Sequence, residues 1–480
     1  MFRASHMQYE HSDRVRGLES GGIGAMHRLA QHTGLVAALD QHVKLLKVHL
    51  PYHESDHVLN VAYNILCGGT CLQDLELRRQ HEVYLDALGA QRIPDPTTAG
   101  DFCRRFDEAS IEALQTAINE TRVRVWRAQP VGFFDEAIID ADGTLAETTG
   151  QCKEGMDIGY NGVWGYHPLV VSLANTQEPL YLINRSGNRP SSEGAAERFD
   201  QARALCQDAG FRRITFRGDT DFSQTSHLDR WDAAGVRFIF GYDAYANLIR
   251  AADALPASAW TPLVRRPPAA VQTEPRARPT NVKAATIVAR EFKNLRLEAE
   301  AVAECPYTPR ACARPYRLVV VRKNISVEQG DQRLFDQIRY FFYLTNDRET
   351  AAPALVFLAN DRCNQENLID QLKHGVGATE MPVDTLLSNW AYMVMAALAW
   401  TLKAWFALLL PETGRWAVQY AADKAAVLRM EFKAFLNAFM RIPVQVVRTS
   451  RRLVFRLLAW NPWQAVFLRG FDHLRAPLQR

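Results

Sequence analysis

Residues 138–144 read IIDADGT, and this apolar run ends in two carboxylates rather than turning to solvent. Successive side chains of a strand alternate between its two faces, so Asp140 and Asp142 are expected on one face. Neighbouring carboxylates repel each other unless a cation neutralises them, and oxygen ligands favour Mg²⁺ or Mn²⁺ over zinc. Gly143 would let a phosphate backbone approach. The segment predicts a buried strand ending in a metal site, with an aspartate-rich turn as the open alternative.

The segments that follow are predicted to alternate in the order β-β-β-α-β-α-β. Strands are predicted at residues 137–145, 166–175, 179–188, 212–219 and 236–242, and helices at 191–210, where Ser192 would be the cap, and 222–235. This is the order of the ribonuclease-H-like fold, in which an acid on the first strand lies beside an acid at the end of the fourth. Asp142 and Asp219 occupy those two positions, and Asp221 is a nearby decoy.

The regions on either side differ from this core. Residues 20–125 show helical periodicity with short breaks, including a helix near Ala99 that Thr97 or Thr98 would cap. A DNA-reading helix-turn-helix and a purely structural helical scaffold explain that region equally well. After the fifth strand comes a proline-rich basic run at 265–279, and then three predicted strands at 286–297, 316–323 and 339–347.

The fold class predicted from these patterns is a multidomain α+β protein. A helical N-terminal, DNA-binding domain would occupy residues 1–130. The ribonuclease-H-like α/β catalytic core (131–244 and 348–412) would be interrupted by a β-rich insertion (245–347), and a basic helical C-terminal region (413–480) would follow it. In that last region the spacing of apolar residues in RLVFRLLAW (452–460) favours a helix.

A third acid is predicted on the helix after the insertion, at 350–375. Arg362, Glu366 and Lys373 would form one narrow stripe on a regular helix. The stripe could be ordinary pairing on an exposed helix. Its place in the strand order favours a second interpretation, in which Glu366 completes a set of three carboxylates that hold two divalent ions for phosphoryl transfer, and the two cations bind phosphates.

Composition restricts the partners. Lys and Arg number 16 against 9 Asp and Glu in residues 250–340, and residues 441–480 carry eight Arg against one Asp, which suggests a polyanion partner although the whole chain has a net charge of only +3. Eight cysteines show no zinc-finger spacing, so a reduced, cytosolic protein is expected. No signal peptide is recognisable, and the apolar stretch 390–410 is predicted to be a buried helix rather than a membrane span.

These motifs in this order resemble the DDE transposases of bacterial insertion sequences, in the branch with a β-strand insertion in the core known as transposase DDE domain group 1. The resemblance covers nearly the whole chain, from DPTTAGDFCRRF through DADGT, RGDTDFS and DRCNQENLIDQLK to SNWAYMVMAALAWTLKAW. It implies Asp142, Asp219 and Glu366 as catalytic and metal-binding acids, with Asp140 the less favoured choice for the first. The family places a tyrosine where this chain has Ala359.

The resemblance also implies the activity and its partners. A homodimer would bind the inverted-repeat ends of the element and target DNA in the bacterial cytoplasm, at the nucleoid, with no membrane association. It would use two Mg²⁺ or Mn²⁺ ions, cut the ends, form and reopen a hairpin, and join the 3′ ends to target DNA. The alternatives are a ribonuclease-H-like nuclease without strand transfer and a catalytically silent DNA-binding regulator.

Overall fold

The computed structural model describes residues 15–265, 282–449, 452–458 and 461–475. Its N-terminal part is helical. The elements are β1 (Arg16–Leu18), α1 (Ile23–His32), α2 (Leu35–His42), α3 (Glu54–Leu66), α4 (Leu75–Arg79), α5 (Glu82–Leu88), α6 (Pro96–Cys103) and α7 (Glu108–Arg127). Helix α6 begins three residues before Ala99, because Asp95 accepts a hydrogen bond from the Thr98 backbone N–H at 2.9 Å. An aspartate followed by proline is a stronger helix start than the predicted threonines.

The core elements follow. They are β2 (Ala137–Gly143), β3 (Ala146–Glu147), β4 (Asp157–Ile158), β5 (Trp164–Tyr166), β6 (Leu169–Leu173), β7 (Glu178–Ile183), α8 (Ala195–Ala209), β8 (Ile214–Gly218), α9 (Leu228–Ala233) and β9 (Arg237–Tyr242). The short strands β3, β4 and β5 form a small separate sheet that the sequence pattern did not predict. Helix α8 starts after Gly194, which adopts φ 75°, rather than at Ser192, and it ends at Gly210 with φ 111°, as predicted.

The core sheet has the ribonuclease-H-like arrangement. Strand β2 pairs in parallel with β8, and β8 in parallel with β9, while β6 and β7 add antiparallel strands on the other side of β2. The predicted order of elements and the predicted fold class are therefore confirmed. Because β2 and β8 run in the same direction, their carboxyl ends meet at one edge of the sheet, which we call the catalytic edge.

The predicted insertion continues this sheet. Its elements are α10 (Ala246–Asp253), β10 (Thr261–Pro262), α11 (Val282–Ala289), β11 (Lys293–Tyr307), β12 (Tyr316–Gln329) and β13 (Gln332–Thr345). Strand β13 pairs with β9 from Phe342 opposite Tyr242 to Thr345 opposite Ile239, so nine strands form one sheet across the predicted boundary at 245. The boundaries between domains stay predictions. The proline-rich run 265–279 lies almost wholly outside the described residues.

The first predicted strand of the insertion, 286–297, is wrong in its first half. Residues up to Ala289 belong to helix α11, and β11 begins only at Lys293, after Glu291 takes φ 53°. A short apolar run such as TIVA does not distinguish a helix from a strand by its periodicity. The positive φ of Glu291 marks the turn that separates the two elements.

Helices cover the sheet after the insertion. They are α12 (Ala352–Asn360), α13 (Cys363–Asp370) and α14 (Leu386–Leu408), with a π-helical turn at Gln371–Gly375. Helix α14 is the one helix in the described part of the chain that is long and apolar enough to cross a membrane, and its apolar stretch is buried inside the protein. Its Trp405 indole N–H donates at 2.9 Å to Glu178, which also accepts from the Arg122 guanidinium. The predicted buried helix is confirmed.

The C-terminal region contains both helices and strands. Its elements are α15 (Ala417–Arg429), α16 (Phe432–Phe435), β14 (Val444–Arg448), β15 (Leu453–Leu457) and α17 (Gln464–His473). The predicted helix over 452–460 is wrong where the structure describes it, because Leu453–Leu457 forms a strand beside β14, which also pairs with β1. Burial along β15 alternates residue by residue, which is the period of a strand with one covered face.

Candidate active site

Asp140 is enclosed in the centre of the sheet. Its two carboxylate oxygens accept hydrogen bonds from Nε and Nη2 of Arg217 on β8, each at 2.7 Å, and Arg217 Nη1 donates to the Leu358 carbonyl at 2.8 Å. The two side chains are 1% and 3% exposed. Burial raises the pKa of Asp140, and the contacts with Arg217 oppose that rise. Asp140 is therefore committed to a buried ion pair and ties β2, β8 and α12 together.

Asp142, two residues further along β2, is paired more loosely at the catalytic edge. One of its oxygens, Oδ2, accepts a hydrogen bond from Arg362 Nη1 at 2.9 Å, and its side chain keeps 15% of its exposure. Burial raises the pKa of Asp142 to about 6; the charge of Arg362 opposes the rise and that of Asp219 adds to it. The Asp142 carboxylate therefore keeps its proton to a higher pH than an exposed aspartate would.

Asp219 follows the last residue of β8 and starts a short 3₁₀ turn. Its Oδ1 accepts from the Asp221 backbone N–H at 3.0 Å, which fixes the carboxylate at the strand end. Burial raises the pKa of Asp219, with Arg362 opposing the rise and Asp221 adding to it. Asp221 itself is exposed. Of the two acids in GDTD, Asp219 is the one that shares Arg362 with Asp142.

Arg362 lies at a break between α12 and α13, not within one continuous helix. Its Nη2 lies 3.5 Å from Oε1 of Glu366, whose side chain is 61% exposed. Burial lowers the pKa of Arg362, but the charges of the three predicted acids raise it above its usual value. Arg362 thus pairs with Asp142 and Glu366, and the charge of Asp219 also acts on it.

Helix α13 is held against the sheet by Gln365, the neighbour of Glu366. Gln365 is buried; its Nε2 donates to the Val170 carbonyl at 3.1 Å, and its Oε1 accepts from the Ser172 hydroxyl. Val170 lies opposite Asp142 in the pairing of β6 with β2. This contact fixes the height of α13 along the sheet and brings Glu366 to the catalytic edge.

The donor set fits a hard divalent cation by its chemistry. Carboxylate oxygens are the ligands that Mg²⁺ and Mn²⁺ prefer, and Asp142 and Asp219 both lie at the catalytic edge. Within the described residues, no group of three or more His, Cys, Asp or Glu side chains is close enough together to hold a metal ion. In this arrangement the cation among the three acids is Arg362.

Comparison with known proteins identifies the family. The family described as transposase DDE domain group 1 matches residues 18–478. The chain belongs to this transposase family. It is also similar to a solved structure, the cryo-EM structure of a piggyBac transposase synaptic complex with hairpin DNA, with 9% identity and a TM-score of 0.41, over 89% of this chain and 80% of that chain. No curated protein matches the sequence.

Lys373, the second predicted phosphate-binding residue of this transposase, is turned into the protein. Its ammonium donates to the Leu145 carbonyl just after β2, at 2.7 Å, and burial lowers its pKa. The π-helical turn at Gln371–Gly375 changes the rotation along the helix, so Lys373 does not continue the stripe of Arg362 and Glu366. Its role in DNA binding stays a prediction.

Ala359, at the family's tyrosine position, is 8% exposed in an apolar cluster with Ile239 and Val321. Tyr343 lies on β13, in the sheet against which α12 packs. Its phenol donates a hydrogen bond to Oδ1 of Asn360, the residue after Ala359, at 3.1 Å. Burial raises the pKa of Tyr343, and the charge of Arg362 is among the influences that oppose the rise. A tyrosine therefore stands near Arg362, although it belongs to a different element.

Sequence reasoning missed two residues of the site, Arg217 and His167. Arg217 directly precedes Gly218 and Asp219, so the spacing of charges in FRGD was the available signal. His167 precedes β6, and its Nε2 lies 2.9 Å from where a Cβ on Gly143 would stand. The space on the Cβ side of Gly143 is therefore filled by the imidazole, and the approach of a phosphate backbone to Gly143 stays a prediction.

Proposed function

We propose that this protein cuts DNA at the ends of an insertion sequence by metal-dependent phosphoryl transfer and joins the 3′ ends to target DNA. The single observation that carries the proposal is the placement of Asp142 and Asp219 at the ends of the parallel strands β2 and β8, where Arg362 pairs with Asp142 and Glu366. The piggyBac transposase named above is a synaptic complex with hairpin DNA, and a hairpin route is proposed here on the family resemblance.

In this proposal Asp142, Asp219 and Glu366 hold two Mg²⁺ or Mn²⁺ ions. Such ions activate the attacking hydroxyl and stabilise the leaving oxygen in phosphoryl transfer. The buried Asp140–Arg217 pair keeps the strands that carry the first two acids in register. Gln365 sets the position of Glu366. Arg362 supplies a guanidinium at the catalytic edge that can form a bidentate contact with a phosphate.

The proposed partners are double-stranded DNA, both the inverted-repeat ends and the target, and a second copy of the chain. The local excess of basic residues supports a polyanion. Support for a dimer comes from large apolar side chains left exposed on the outer strands β11 and β13, namely Leu295, Leu297, Leu334, Phe335, Ile338 and Phe341. The bacterial cytoplasm, at the nucleoid, is the proposed location.

A cleavage assay tests the function. Purified protein is incubated with a labelled duplex carrying the element's own ends and Mg²⁺, beside Asp142→Ala and Glu366→Ala. Asp370→Ala, an exposed carboxylate one turn beyond Glu366 on α13, is the matched control. We expect 3′-hydroxyl and hairpin products from the wild type and the control, and none from the two variants.

The two alternatives give different results in the same assay. A nuclease without strand transfer would produce metal-dependent cuts but no joined products when target DNA is added. A silent regulator would bind the duplex equally in wild type and variants, in EDTA as well as in Mg²⁺, and would never cut it.

A further inference from the structure

Carboxylates are the groups that hold the Arg362 side chain at the catalytic edge. Among the described residues, the hydrogen bonds of its guanidinium run from Nη1 to Oδ2 of Asp142, at 2.9 Å, and from Nη2 to Oε1 of Glu366, at 3.5 Å. Both acceptors are acids of the proposed metal site. A metal ion that binds these two carboxylates therefore takes away the partners of Arg362.

Arg217, which pairs with the other aspartate of β2, is held differently. Its Nε and Nη2 donate to Asp140, and its Nη1 also donates to the Leu358 carbonyl at 2.8 Å. That backbone contact does not depend on the carboxylate. The Arg217 side chain is 3% exposed, whereas the Arg362 side chain is 17% exposed and, in the part of the chain that the structure describes, donates to side-chain carboxylates only. Arg362 is thus the arginine that can leave its carboxylate.

The chain around Arg362 is open to solvent. Arg362 lies between α12, which ends at Asn360, and α13, which begins at Cys363. Its two neighbours in sequence, Asp361 and Cys363, are exposed, and so is Glu366 one turn later. The guanidinium therefore lies near the surface of the catalytic edge, where a phosphate group can reach it without displacing the buried residues of the core.

A metal ion and the guanidinium compete for the same oxygens. Arg362 pairs with an acid on β2 and an acid on α13 at the same time, so it is the cation between them. Two positive charges that meet at a partly buried carboxylate repel each other, because the surrounding protein screens them less than water does. A divalent ion bound by Asp142 and Glu366 would thus drive Arg362 away, and the guanidinium would need another anion.

We propose that Arg362 competes with the divalent ion for Asp142 and Glu366, and that a DNA phosphate takes over the guanidinium when the ion binds; this inference rests on the function proposed above. Without DNA, the ion must displace Arg362 into water, so the free protein binds metal weakly. With DNA, the displaced guanidinium forms a bidentate contact with a phosphate. Arg362 is then a positioning residue that couples the binding of metal to the presence of DNA, and each ligand raises the affinity of the other by the same factor.

Isothermal titration of Mn²⁺ into the DNA-free protein gives the first test. If Arg362 only held the acids in place, Arg362→Gln would weaken Mn²⁺ binding. Competition predicts the opposite, and we expect the variant to bind Mn²⁺ about tenfold tighter than the wild type, a size typical of coupled sites. Lys373→Met is the matched control, because it also removes one positive charge near the end of β2 but its ammonium is bound to the Leu145 carbonyl. We expect this control to bind Mn²⁺ as the wild type does.

The same titration with bound DNA tests the part played by the phosphate. The duplex carries a pre-cut element end that terminates in a dideoxynucleotide, so no reaction follows. We expect DNA to tighten Mn²⁺ binding about tenfold more in the wild type than in Arg362→Gln, because only the wild type has a guanidinium to pass to the phosphate. If the glutamine variant fails to fold, a crystal structure of the wild type with Mn²⁺ decides the matter by the distance between Arg362 and Asp142.

Three results would overturn the inference and leave the proposed function intact. They are an Arg362→Gln variant that binds Mn²⁺ no tighter than the wild type or its Lys373→Met control, an equal gain from DNA in wild type and Arg362→Gln, and a bound Mn²⁺ with Arg362 still within hydrogen-bond distance of Asp142. A wild-type protein that binds the duplex but neither binds Mn²⁺ nor cuts overturns the proposed function, and the inference with it.

Discussion

Two aspartates on one face of β2 each meet an arginine, and the two pairs differ in how completely they are closed. Asp140 and Arg217 share two hydrogen bonds of 2.7 Å with almost no exposure. Asp142 and Arg362 share one of 2.9 Å, and Arg362 also lies 3.5 Å from Glu366. The Asp140–Arg217 pair is fully buried and has a structural role. Asp142 is partly exposed and can pair with another cation in place of Arg362. This difference favours Asp142 over Asp140 as the proposed functional acid.

The largest expected effect separates the two aspartates by activity. Asp142→Asn should lower the cleavage rate roughly 10⁴-fold, about 5 kcal/mol of transition-state stabilisation, because a neutral amide replaces a metal-binding carboxylate. Single-turnover rates measure it, with circular dichroism to show an intact fold. Residual cutting within tenfold of the wild type would contradict the assignment of Asp142.

The second prediction separates them by stability. Asp140→Ala should lower the free energy of unfolding by about 3–5 kcal/mol, since it leaves the Arg217 guanidinium buried and unpaired. Urea unfolding measures it. The double variant Asp140→Leu with Arg217→Met removes both charges and should recover much of the loss. Equal instability of single and double variants would show that the pair is not the cause.

The third prediction concerns pH in the metal-free protein. The pKa of Asp142 is about 6 in the folded protein and near 3.8 in the unfolded chain, so the folded state binds more protons between these values. The contribution of Asp142 to stability therefore falls as pH rises from about 4 to 6. In EDTA at pH 7, Asp142→Asn should be more stable than the wild type by on the order of 2 kcal/mol.

That gap should close as the pH is lowered toward 4 and should reverse when Mg²⁺ is added, because only the carboxylate gains from the cation. Melting temperatures of both proteins across this range give the comparison. A gap that does not change with pH would mean that the rise in the pKa of Asp142 is not what destabilises the site.

The smallest expected effect concerns Lys373. Its ammonium is bound to the Leu145 carbonyl, so Lys373→Met should leave the salt dependence of DNA binding unchanged. A lysine that contacts a phosphate contributes about one unit to the slope of log affinity against log salt concentration. Fluorescence anisotropy at several salt concentrations distinguishes the two. A slope smaller by about one would confirm the phosphate contact predicted from the sequence.

The order of the core elements and the positions of Asp142 and Asp219 could be predicted from the sequence. The order follows from short-range periodicity, and the positions follow from where the strands end. The preference for Asp142 over Asp140 came from the family resemblance, whereas the ion pair that sets Asp140 apart involves Arg217, which lies 77 residues away. The sequence prediction also missed the break at Arg362 between α12 and α13, because it assumed one regular helix over this region. His167 went unnoticed because a single histidine before an apolar strand is usually a core residue.

Two further misses have a similar origin. Residues 453–457 were predicted as helix, and their pairing with β14 settles them as a strand. Residues 286–289 were predicted as strand, and the turn at Glu291 ends a helix there instead. In both places the local pattern is compatible with either element; the pairing with β14 decides the first and the turn at Glu291 decides the second.

Because the sheet is continuous, the length of β13 sets how far the insertion extends from the catalytic edge. Strand β13 joins β9 only through its last four residues, and Gly241 on β9 packs against the backbone of Asp219 and Thr220. The preceding ten or so residues of β13 therefore run on past the catalytic edge, roughly 35 Å at 3.4 Å per residue. That is about one turn of duplex DNA. The turn between β12 and β13, at the tip of this extension, therefore lies at a distance of that order from the carboxylates.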